Sequence, residues 1–559
     1  MPNVTFKNLY TTIKVPVGTS IMDAARMADL PIESPCNQTG VCGKCRVKLS
    51  HGANNHILTP EDTVLHPTAV SQGWVLACQT RILKDIEIDR LPNIHTVKDP
   101  ASVLDHGHCD AKGFAPAISK KFDPKKNLTE IFTGHDCIGT EPGDTREHIF
   151  GMAVDIGTTT LVASLIDLKT SREKGSVSAL NPQANFAQDV LSRIKFADTQ
   201  KGLQTLQNAF VTCLNQMVGT VCNKTGIQPN NIYESVFSGN TCMLHLACGV
   251  SPVSLGRYPY TPEITGNQTL KAADIGLELA TFARVYLPPV ISAYVGADLT
   301  SGILGLMLHK RSGISLLVDI GTNGEIILAE NGRLMATSTA AGPALEGMNI
   351  SCGMVAGPGA IERVSLSDTG HISLSTIADG EPQGLCGSGL IDLVAELVRH
   401  GVLLPTGRLA APDAKEMDPH LLAALSENSK SRQFNVSKNV HLTQKDVRQV
   451  QLAKGAIQAG IAFLLKETGI SPEQVDQVLI AGAFGYHLSA DGLIRIKLLP
   501  EVFKNKVSYV GNTSKTGAQA FLTNTAFREE MDHLVKTVQV VELSGHPEFE
   551  QTFIRCLGF

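Results

Sequence analysis

The sequence lacks the features that mark exported, membrane-spanning and nucleic-acid-binding proteins. Its first residues, MPNVTFK, do not follow the basic and then apolar order of an export signal, and no uncharged apolar run approaches the roughly 20 residues that a membrane-spanning helix needs. Lysine and arginine number 48 against 53 aspartates and glutamates, so there is no excess of positive charge for nucleic acid. We therefore predict a cytoplasmic protein without a membrane span or a nucleic-acid partner.

Several nucleotide-binding motifs are also missing. The sequence contains neither the phosphate-binding loop GxxxxGK[ST] nor a protein-kinase catalytic loop. No GxGxxG follows a predicted strand, which weakens the interpretation of the protein as a flavin- or nicotinamide-dependent reductase. The composition is that of a globular protein, with 43% hydrophobic and 18% charged residues, and the length of 559 residues predicts about two to four domains.

Four of the thirteen cysteines follow a metal-binding spacing near the N-terminus. Cys36, Cys42 and Cys45 lie on one glycine-containing loop, and Cys78 follows 33 positions after Cys45. Three thiolates on one loop and a fourth from a distant strand end suit a [2Fe–2S] cluster, whereas a zinc site usually pairs one CxxC with a second close pair. We predict that these four cysteines hold a [2Fe–2S] cluster.

Other cysteines stand in less specific contexts. The sequence His106-Gly-His108-Cys109 is compatible with a metal site, but no second ligand pair stands near it, so a solvated tether is the preferred interpretation. Cys352 and Cys386 lie among glycines and raise the alternative of a second cluster. Because paired CxxC spacing is missing there, we predict buried thiols near a cleft.

Three regions follow one another along the chain. Residues 1–90 are predicted to form a small mixed α/β domain, in which Ser20 and Asp23 make a capping pair for an early helix. Residues 91–149 are rich in Lys, Asp, His, Gly and Pro and show little periodicity, so we predict a linker. From residue 150 to residue 559, apolar strands alternate with long amphipathic helices, which predicts α/β layering.

The third region contains an internal duplication. The motif VDIGTTT around Asp155 recurs as VDIGTNGE around Asp319, 164 residues later, and each copy lies between two apolar strands. A duplication at that spacing predicts two similar halves, about residues 150–312 and 313–525, that face each other across a cleft. The remaining residues, to 559, are predicted to form a C-terminal extension.

The two motifs have the chemistry of phosphate-binding turns. A Gly-Thr hairpin offers backbone N–H groups and hydroxyls to phosphate oxygens, and the aspartate at the strand end can hold hydrated Mg²⁺. The alternative is that Asp155 and Asp319 merely cap β-turns. We predict ATP and Mg²⁺ as ligands. The predicted nucleotide-contacting residues of the two turns are Gly157, Thr158, Thr159, Thr160, Gly321, Thr322, Asn323 and Gly324.

Residues outside the two turns are also candidates for the cleft. The sequence Gly239-Asn240-Thr241 lies between the turns in the chain and is predicted to line the cleft. Glu325 has two open interpretations: it belongs to the shell of Mg²⁺ or water, or it is a strand residue that faces solvent.

The motifs of the first region resemble those of the [2Fe–2S] ferredoxin family. Two segments show this resemblance: PCNQTGVCGKCRV around Cys36, Cys42 and Cys45, and LACQT around Cys78. The resemblance implies a β-grasp fold for roughly residues 1–90. The five-residue interval between the first two cysteines is that of adrenodoxin-like members.

The segment from residue 150 to about residue 525 resembles the actin/Hsp70/sugar-kinase superfamily, with its ribonuclease H-like ATPase fold. The resemblance implies that LIAGAFG, with Gly482 and Gly485, is an adenosine-binding turn. It also implies that a helix around Val290–Leu304 carries a carboxylate that orients the attacking water, for which Asp298 is the candidate. A capping or surface role for Asp298 is the alternative.

The whole chain resembles the ATP-dependent reductive activators of corrinoid proteins. Motifs shared with that family include NPQ at Asn181, GNT at Gly239, YVGAD ending at Asp298, GLCGSG at Gly384 and GNT at Gly511. The resemblance implies an ATP-hydrolysing iron–sulfur enzyme that returns cob(II)amide to cob(I)amide in methyl-transfer metabolism. Its expected partners are a corrinoid protein of a methyltransferase system and a low-potential electron donor, with a homodimer as a further expectation. One departure is expected, because the predicted linker leaves no room for the middle domain of some members.

Two functions of other classes stay open at this point. The first is a small-molecule kinase with an appended redox sensor, which would form a phosphorylated product. The second is a binding module in which the nucleotide only switches the affinity for a partner, without electron flow from the cluster.

Overall fold

A computed structural model gives the architecture of the chain. It describes residues 1–7, 11–28, 30, 32, 38, 40, 43, 45–50, 56–60, 63–65, 67–90, 107–411, 417–427, 432–482, 488–543 and 546–559. The chain divides into two compact units: Met1–Lys98 with Pro182–Gln188, and Asp99–Asn181 with Asp189–Phe559. Within the described ranges, no helix combines the length and the apolar character that crossing a bilayer requires.

The first unit is a mixed sheet with a helix against it. Its five-stranded sheet has the order β2-β1-β7-β3-β5, in which β1 pairs parallel with β7 and antiparallel with β2. Helix α1 begins after Ser20, whose hydroxyl accepts a hydrogen bond from the Asp23 N–H, as the capping pair predicted. The elements are β1 (Asn3–Phe6), β2 (Thr11–Lys14), α1 (Ile21–Met27), β3 (Arg46–Leu49), β4 (Ile57–Leu58), α2 (Pro67–Ser71), β5 (Trp74–Leu76), β6 (Arg81–Ile82) and β7 (Ile86–Arg90).

The second unit opens with a small sheet where the sequence predicts a linker. The described part of that segment contains β8 (Ile118–Asp123), β9 (Leu128–Thr133) and β10 (Asp136–Pro142), which form an antiparallel sheet. The linker prediction is therefore wrong for these strands. The side chain of Lys120 is 1% exposed, and its Nζ contacts Glu141 Oε2 at 2.9 Å and the Tyr233 hydroxyl at 2.7 Å. A lysine-rich strand that buries a paired lysine does not show the apolar alternation by which strands are recognised.

Two six-stranded sheets form the body of the second unit. Their orders are β13-β12-β11-β14-β16-β15 and β27-β26-β17-β18-β19-β28. Strand β11 pairs antiparallel with β12 and parallel with β14, and β17 pairs in the same way with β18 and β26. This repeated pairing confirms the duplicated actin-like fold. The strands are β11 (Phe150–Ile156), β12 (Thr160–Asp167), β13 (Glu173–Leu180), β14 (Ile232–Gly239), β15 (Gln268–Lys271), β16 (Arg284–Leu287), β17 (Ile314–Ile320), β18 (Gly324–Glu330), β19 (Arg333–Thr339), β20 (Ala360–Leu366), β21 (Ile372–Thr376), β22 (Gly384–Leu385), β23 (Leu425–Glu427), β24 (Arg432–Asn435), β25 (His441–Thr443), β26 (Gln477–Ala481), β27 (Val507–Gly511) and β28 (Gln539–Val540).

Helices pack on both large sheets. Each long helix begins at a threonine cap, Thr199 for α4 and Thr443 for α9, and ends at a left-handed glycine. The helices are α3 (Val190–Phe196), α4 (Gln200–Thr225), α5 (Thr241–Cys248), α6 (Ala297–Gly305), α7 (Gly387–Arg399), α8 (Pro419–Ala424), α9 (Gln444–Thr468), α10 (Ala490–Arg495), α11 (Thr513–Thr523), α12 (Ala526–Val535) and α13 (Phe549–Arg555). The helix predicted from residue 290 starts only at Ala297, because the residues before it fold into a turn in which the Ile291 N–H donates to the Val295 carbonyl.

Helix α11 crosses from one half of the duplication to the other. It follows β27 of the second sheet, but it packs against β11, β14 and α6 of the first half. A Cβ atom on Gly302 of α6 would lie 3.0 Å from the Thr513 hydroxyl, so small residues allow the two helices to approach closely. The sequence-based division at residues 312 and 313 therefore misassigns α11, which belongs spatially to the first half.

Candidate functional site

Two of the four predicted cluster ligands lie in the described residues of the first unit. Cys45 and Cys78 are buried, and their Sγ atoms are 3.2 Å apart. This separation exceeds the ~2.05 Å of a disulfide bond, so the two cysteines face each other as thiols and not as a disulfide. Gly40 and Gly43 have φ values of +83° and +69°, which fit a loop that turns around a metal group. Cys36 and Cys42 lie outside the described residues.

The two phosphate turns of the second unit meet in one cleft. The Gly157 N–H donates to the Thr160 carbonyl at 3.0 Å in the first turn, and the Gly321 N–H donates to the Asn323 carbonyl at 3.1 Å in the second. The hydroxyls of Thr159 and Thr322 lie 3.1 Å apart, so the turns touch across the cleft. Residues of both turns line the same cavity, namely Gly157, Thr158, Thr159, Thr160, Gly321, Thr322 and Asn323.

Asp155 is held in place by the turn before α11. Its carboxylate accepts hydrogen bonds from Asn512 Nδ2 at 2.8 Å and from the Ser514 hydroxyl at 2.7 Å. The Ser514 hydroxyl also lies 2.8 Å from that of Ser238, at the end of β14. Burial raises the pKa of Asp155, and the two hydrogen bonds oppose that effect. Sequence reasoning missed Ser514; its only signal was the neighbouring GNT motif.

Further carboxylates converge on the same cavity. Asp298, Asp319, Glu325 and Glu346 all line it together with Asp155. Burial raises the pKa of Asp319 to about 7, and the charges of Asp298 and Asp155 add to the effect. Burial likewise raises the pKa of Asp298 to about 7 and that of Glu325 well above its usual range. Acidic groups crowded in this way take up protons or face the water shell of a hydrated divalent cation, and within the described residues they do not gather as a site that would ligate an ion directly.

The structure distinguishes between the alternatives left open for these carboxylates. Glu325 is 6% exposed, so the interpretation as a solvent-facing strand residue is wrong. Asp298 lies in the first turn of α6, and its carboxylate accepts the Leu299 N–H at 2.9 Å, so it contributes to capping while it also lines the cavity. Glu346 was missed by the sequence reasoning; it accepts a hydrogen bond from the Thr322 hydroxyl at 3.0 Å.

The predicted adenosine turn begins where β26 ends. Gly482 has a φ of +110°, and a Cβ atom there would lie 2.6 Å from the Ile320 carbonyl oxygen and 3.1 Å from Asp319 Oδ1. Only glycine therefore lets the backbone at position 482 lie against the end of β17, next to the second phosphate turn. Gly482 lines the cavity, whereas Gly485 lies outside the described residues.

The predicted GNT residues divide between the cavity and the protein interior. Asn240 lines the cavity and caps α5, where its Oδ1 accepts the Cys242 N–H at 3.0 Å. Gly239 packs against β11, because a Cβ atom there would lie 2.8 Å from the Ile156 carbonyl. The Thr241 hydroxyl donates to the Ser292 carbonyl at 2.8 Å, so it fixes the chain that leads to α6.

Two buried polar side chains position the first phosphate turn by hydrogen bonds to its carbonyl groups. Arg193 of α3 is fully buried, and its Nη2 donates to the Thr158 carbonyl at 2.6 Å. Burial lowers the pKa of this guanidinium to about 10. The Asn181 side chain donates to the Gly157 carbonyl at 2.8 Å. Asn181 belonged only to a family motif in the sequence, and neither residue had an assigned role.

The remaining cysteine predictions have separate outcomes. Cys386 is buried and lines the cavity at the start of α7, as predicted. Cys352 is half-buried, with its Sγ atom 3.5 Å from His441 Nδ1. Nowhere in the described ranges do three or more His, Cys, Asp or Glu side chains gather as a metal site, which leaves the second-cluster alternative and the His108-Cys109 metal site without support there.

Comparisons with known proteins cover nearly the whole chain. Residues 6–83 match the family described as the 2Fe-2S iron-sulfur cluster binding domain. Residues 150–311 match the RACo middle region, and residues 313–559 match the C-terminal domain of RACo, the ASKHA domain. The expectation that this chain lacks a middle domain is therefore wrong, because the first half of the duplication corresponds to that region.

Of three individual relatives, two match nearly the whole chain and one matches 70% of it. The corrinoid activation enzyme RamQ of Eubacterium limosum is 30% identical over 583 residues, which cover 99% of this chain and 98% of the relative. The [Co(II) methylated amine-specific corrinoid protein] reductase of Methanosarcina barkeri is 24% identical over 70% of this chain and 73% of its own length. The solved structure of a reductive activator for corrinoid,iron-sulfur protein is 29% identical, with a TM-score of 0.73 over 100% of this chain and 98% of the other. The chain belongs to the family of reductive activators of corrinoid proteins.

Proposed function

We propose that this protein reduces the cobalt of a corrinoid protein from cob(II)amide to cob(I)amide by one electron, and that ATP hydrolysis drives the transfer. The observation that carries the proposal is the presence in one chain of two facing buried thiols, Cys45 and Cys78, and of a cleft built from two phosphate turns. Relatives that match 99% and 70% of this chain are named for corrinoid activation and reduction, which supports cobalt as the acceptor.

The first unit provides the ligands for the electron carrier. Cys36, Cys42, Cys45 and Cys78 would hold a [2Fe–2S] cluster, which supplies one-electron chemistry when bound. The burial of Cys45 and Cys78 keeps water away from two of the sulfur ligands, and low exposure is one of the factors that set a cluster's potential. A low-potential donor must reload the cluster after each transfer, so we include such a donor among the partners.

The second unit provides the groups that bind the triphosphate. The two turns line the cleft together with the hydroxyls of Thr159 and Thr322, and they would bind the phosphates there. Because these two hydroxyls contact each other at 3.1 Å, the turns must separate to admit a nucleotide between them. Asp155 and Asp319 would hold the water shell of Mg²⁺, and Asp298 would orient the attacking water.

The coupling requires two cleft states with different affinities for the corrinoid protein. A ligand shifts a conformational equilibrium only by the difference between its affinities for the two states. Binding of MgATP would favour one separation of the phosphate turns, and hydrolysis would favour another. A corrinoid protein docked to one state would undergo a change in cobalt coordination that lets the cobalt accept the electron.

The test mixes the dithionite-reduced protein, MgATP and a partner that contains cob(II)amide. We expect the visible spectrum of cob(I)amide to form with MgATP and not without it, and Asp319→Ala to abolish both ATP hydrolysis and this change. The Asp144→Asn variant is the matched control, because Asp144 pairs with Arg146 on the surface, outside the cleft. Full steady-state cobalt reduction by an Asp319→Ala protein that no longer hydrolyses ATP would refute the coupling.

A further inference from the structure

Within the described residues, the chain crosses between the two halves of the ATPase body three times, and the last crossing leads from α12, which packs on α6, to β28, which pairs with β19. The first runs from the end of α6 at Gly305, past Arg311, into β17. The second runs from the end of β27 at Gly511 into α11, which packs on the first half. A change in the angle between the halves would therefore move the first two crossings relative to each other.

A short segment that precedes the small sheet contacts both crossings. We name residues 107–110 the strap. Gly107 forms a β-bridge with Gly511, and the His108 N–H donates to the Val510 carbonyl at 2.9 Å. The Thr516 hydroxyl of α11 donates to the His108 carbonyl at 3.1 Å. These contacts fix the strap to the second crossing.

The other end of the strap is fixed to the first crossing. The Asp110 N–H donates to the Gly305 carbonyl at 2.6 Å, and the Asp110 carboxylate accepts Arg311 Nη2 at 2.7 Å. Arg311 Nη1 in turn donates to Gln477 Oε1 of β26 at 3.0 Å. The strap thus ties α6 of the first half to the central sheet of the second.

One residue, Asn512, contacts both the strap and the cleft carboxylate of Asp155. A Cβ atom on Gly107 would lie 2.6 Å from the Asn512 carbonyl oxygen and 2.5 Å from Thr516 Cγ2, so no side chain fits there. The side-chain amide of Asn512 donates to Asp155 Oδ2 at 2.8 Å. A displacement of the strap therefore moves the residue that orients Asp155.

We propose that Gly107 and Asp110 are positioning residues of the nucleotide cleft, through which the strap couples the relative position of these two crossings to the orientation of Asp155. Because the strap is bound to both crossings, the two cleft states differ in strap contacts, and such coupling acts in both directions. The inference rests on the proposed ATP-driven function and deepens it.

Variants of the full-length protein test the strap against matched controls. Asp110→Ala removes the pair with Arg311, Asp110→Asn keeps a hydrogen-bond acceptor, and Gly107→Val forces the strap away from Asn512. The control for the charge is Asp144→Asn, which loses an exposed pair with Arg146. The control for the glycine is Gly219→Ala, because a Cβ atom at Gly219 in α4 meets no atom within 4 Å.

Two measurements separate positioning from general damage to the fold. We expect Asp110→Ala and Gly107→Val to raise the Kd for MgATP about five- to tenfold, the usual size of coupling between sites, and Asp110→Asn to restore part of the loss. We also expect fewer cobalt centres reduced per ATP hydrolysed, with the cluster absorption and the thermal unfolding midpoint near those of the controls. In the wild-type protein, MgATP should change the amide hydrogen exchange of His108 and Asp110.

The outcomes distinguish this inference from the proposed function. If the wild-type protein reduces cobalt with MgATP but both strap variants keep wild-type Kd and stoichiometry, the inference is wrong and the proposed function stands. Unchanged exchange at His108 and Asp110 on MgATP binding would also overturn the inference. If the wild-type protein neither binds MgATP nor reduces cobalt, the proposed function itself fails.

Discussion

The Oδ1 atom of Asp155 lies 2.7 Å from the hydroxyl oxygen of Ser514, a residue 359 positions later in the chain. The same hydroxyl lies 2.8 Å from that of Ser238, so one serine joins the ends of β11 and β14 to the start of α11. Asp155 is thus oriented by a segment that returns from the other half of the duplication. The position of the carboxylate consequently depends on how the two halves are arranged.

Loss of this hydroxyl should weaken the cleft without unfolding the body. We expect Ser514→Ala to lower the free energy of unfolding by about 1 kcal/mol, the usual worth of a hydrogen bond, and to raise the Kd for MgATP. Chemical denaturation and nucleotide titration measure the two effects. Ser365→Ala, on an exposed position of β20, is the control. Unchanged MgATP affinity in Ser514→Ala would contradict the role of Ser514 in orienting Asp155.

The ionised carboxylate of Asp319 should destabilise the folded protein at neutral pH when metal and nucleotide are absent. Its pKa rises from 3.8 to about 7 on folding, so the native state holds the proton more tightly, and that stability is lost as the pH rises through about 7. We expect Asp319→Asn to match the wild-type protein near pH 4 and to be more stable by at least ~1 kcal/mol above pH 7. Denaturation in EDTA across this range measures the difference.

Asp144 is the control for this pH dependence, because folding shifts its pKa downward and not upward. The hydrogen bond from Arg146 lowers the pKa of Asp144 to about 2, so Asp144→Asn should show no gain in stability between pH 4 and 7. Equal pH profiles of Asp319→Asn and the wild-type protein would show that Asp319 is not the group that titrates. Saturating MgATP should remove the difference, because a bound cation favours the ionised carboxylate.

Cys45→Ser should separate electron transfer from ATP binding. We expect the variant to lose the visible absorption of the iron–sulfur cluster and all cobalt reduction, whereas its Kd for MgATP stays at the wild-type value. The reason is that Cys45 belongs to the first compact unit and the phosphate turns belong to the second. Cys137→Ser is the control, because this thiol is exposed on β10. A retained cluster spectrum in Cys45→Ser would contradict the ligand assignment.

Arg193→Met should weaken nucleotide binding more than it weakens the fold. The substitution removes the hydrogen bond to the Thr158 carbonyl, and hydrogen bonds from charged groups are worth about 1.5–3 kcal/mol, which corresponds to a tenfold or greater rise in Kd for MgATP. It also removes a buried charge, which offsets part of the stability loss. Arg257→Met, at an exposed ion pair with Asp198, is the control. A wild-type Kd in Arg193→Met would show that the turn does not depend on this contact.

Local sequence patterns were sufficient to predict those parts of the site that lie within one short segment of the chain. The CxxxxxCxxC loop with the later Cys78 and the repeated DIGT turns each carry their chemistry within a few residues, so the sequence predicts the cluster domain and a duplicated ATPase. The capping pair Ser20–Asp23 is local in the same sense and forms as predicted. The family profiles cover these same segments.

The parts that sequence reasoning missed come from contacts between distant segments. In the sequence, Lys120 lies in the predicted linker. Only in the folded chain do Glu141 and Tyr233 contact its ammonium group. Glu346 and Arg193 reach the phosphate turns from 24 and 35 residues away, and two strands lie between each residue and its turn. The amino-acid sequence by itself therefore determined which chemical groups this protein carries. Tertiary structure alone decided which of them share the cleft, because burial and hydrogen bonding of a side chain depend on neighbours that the linear order does not specify.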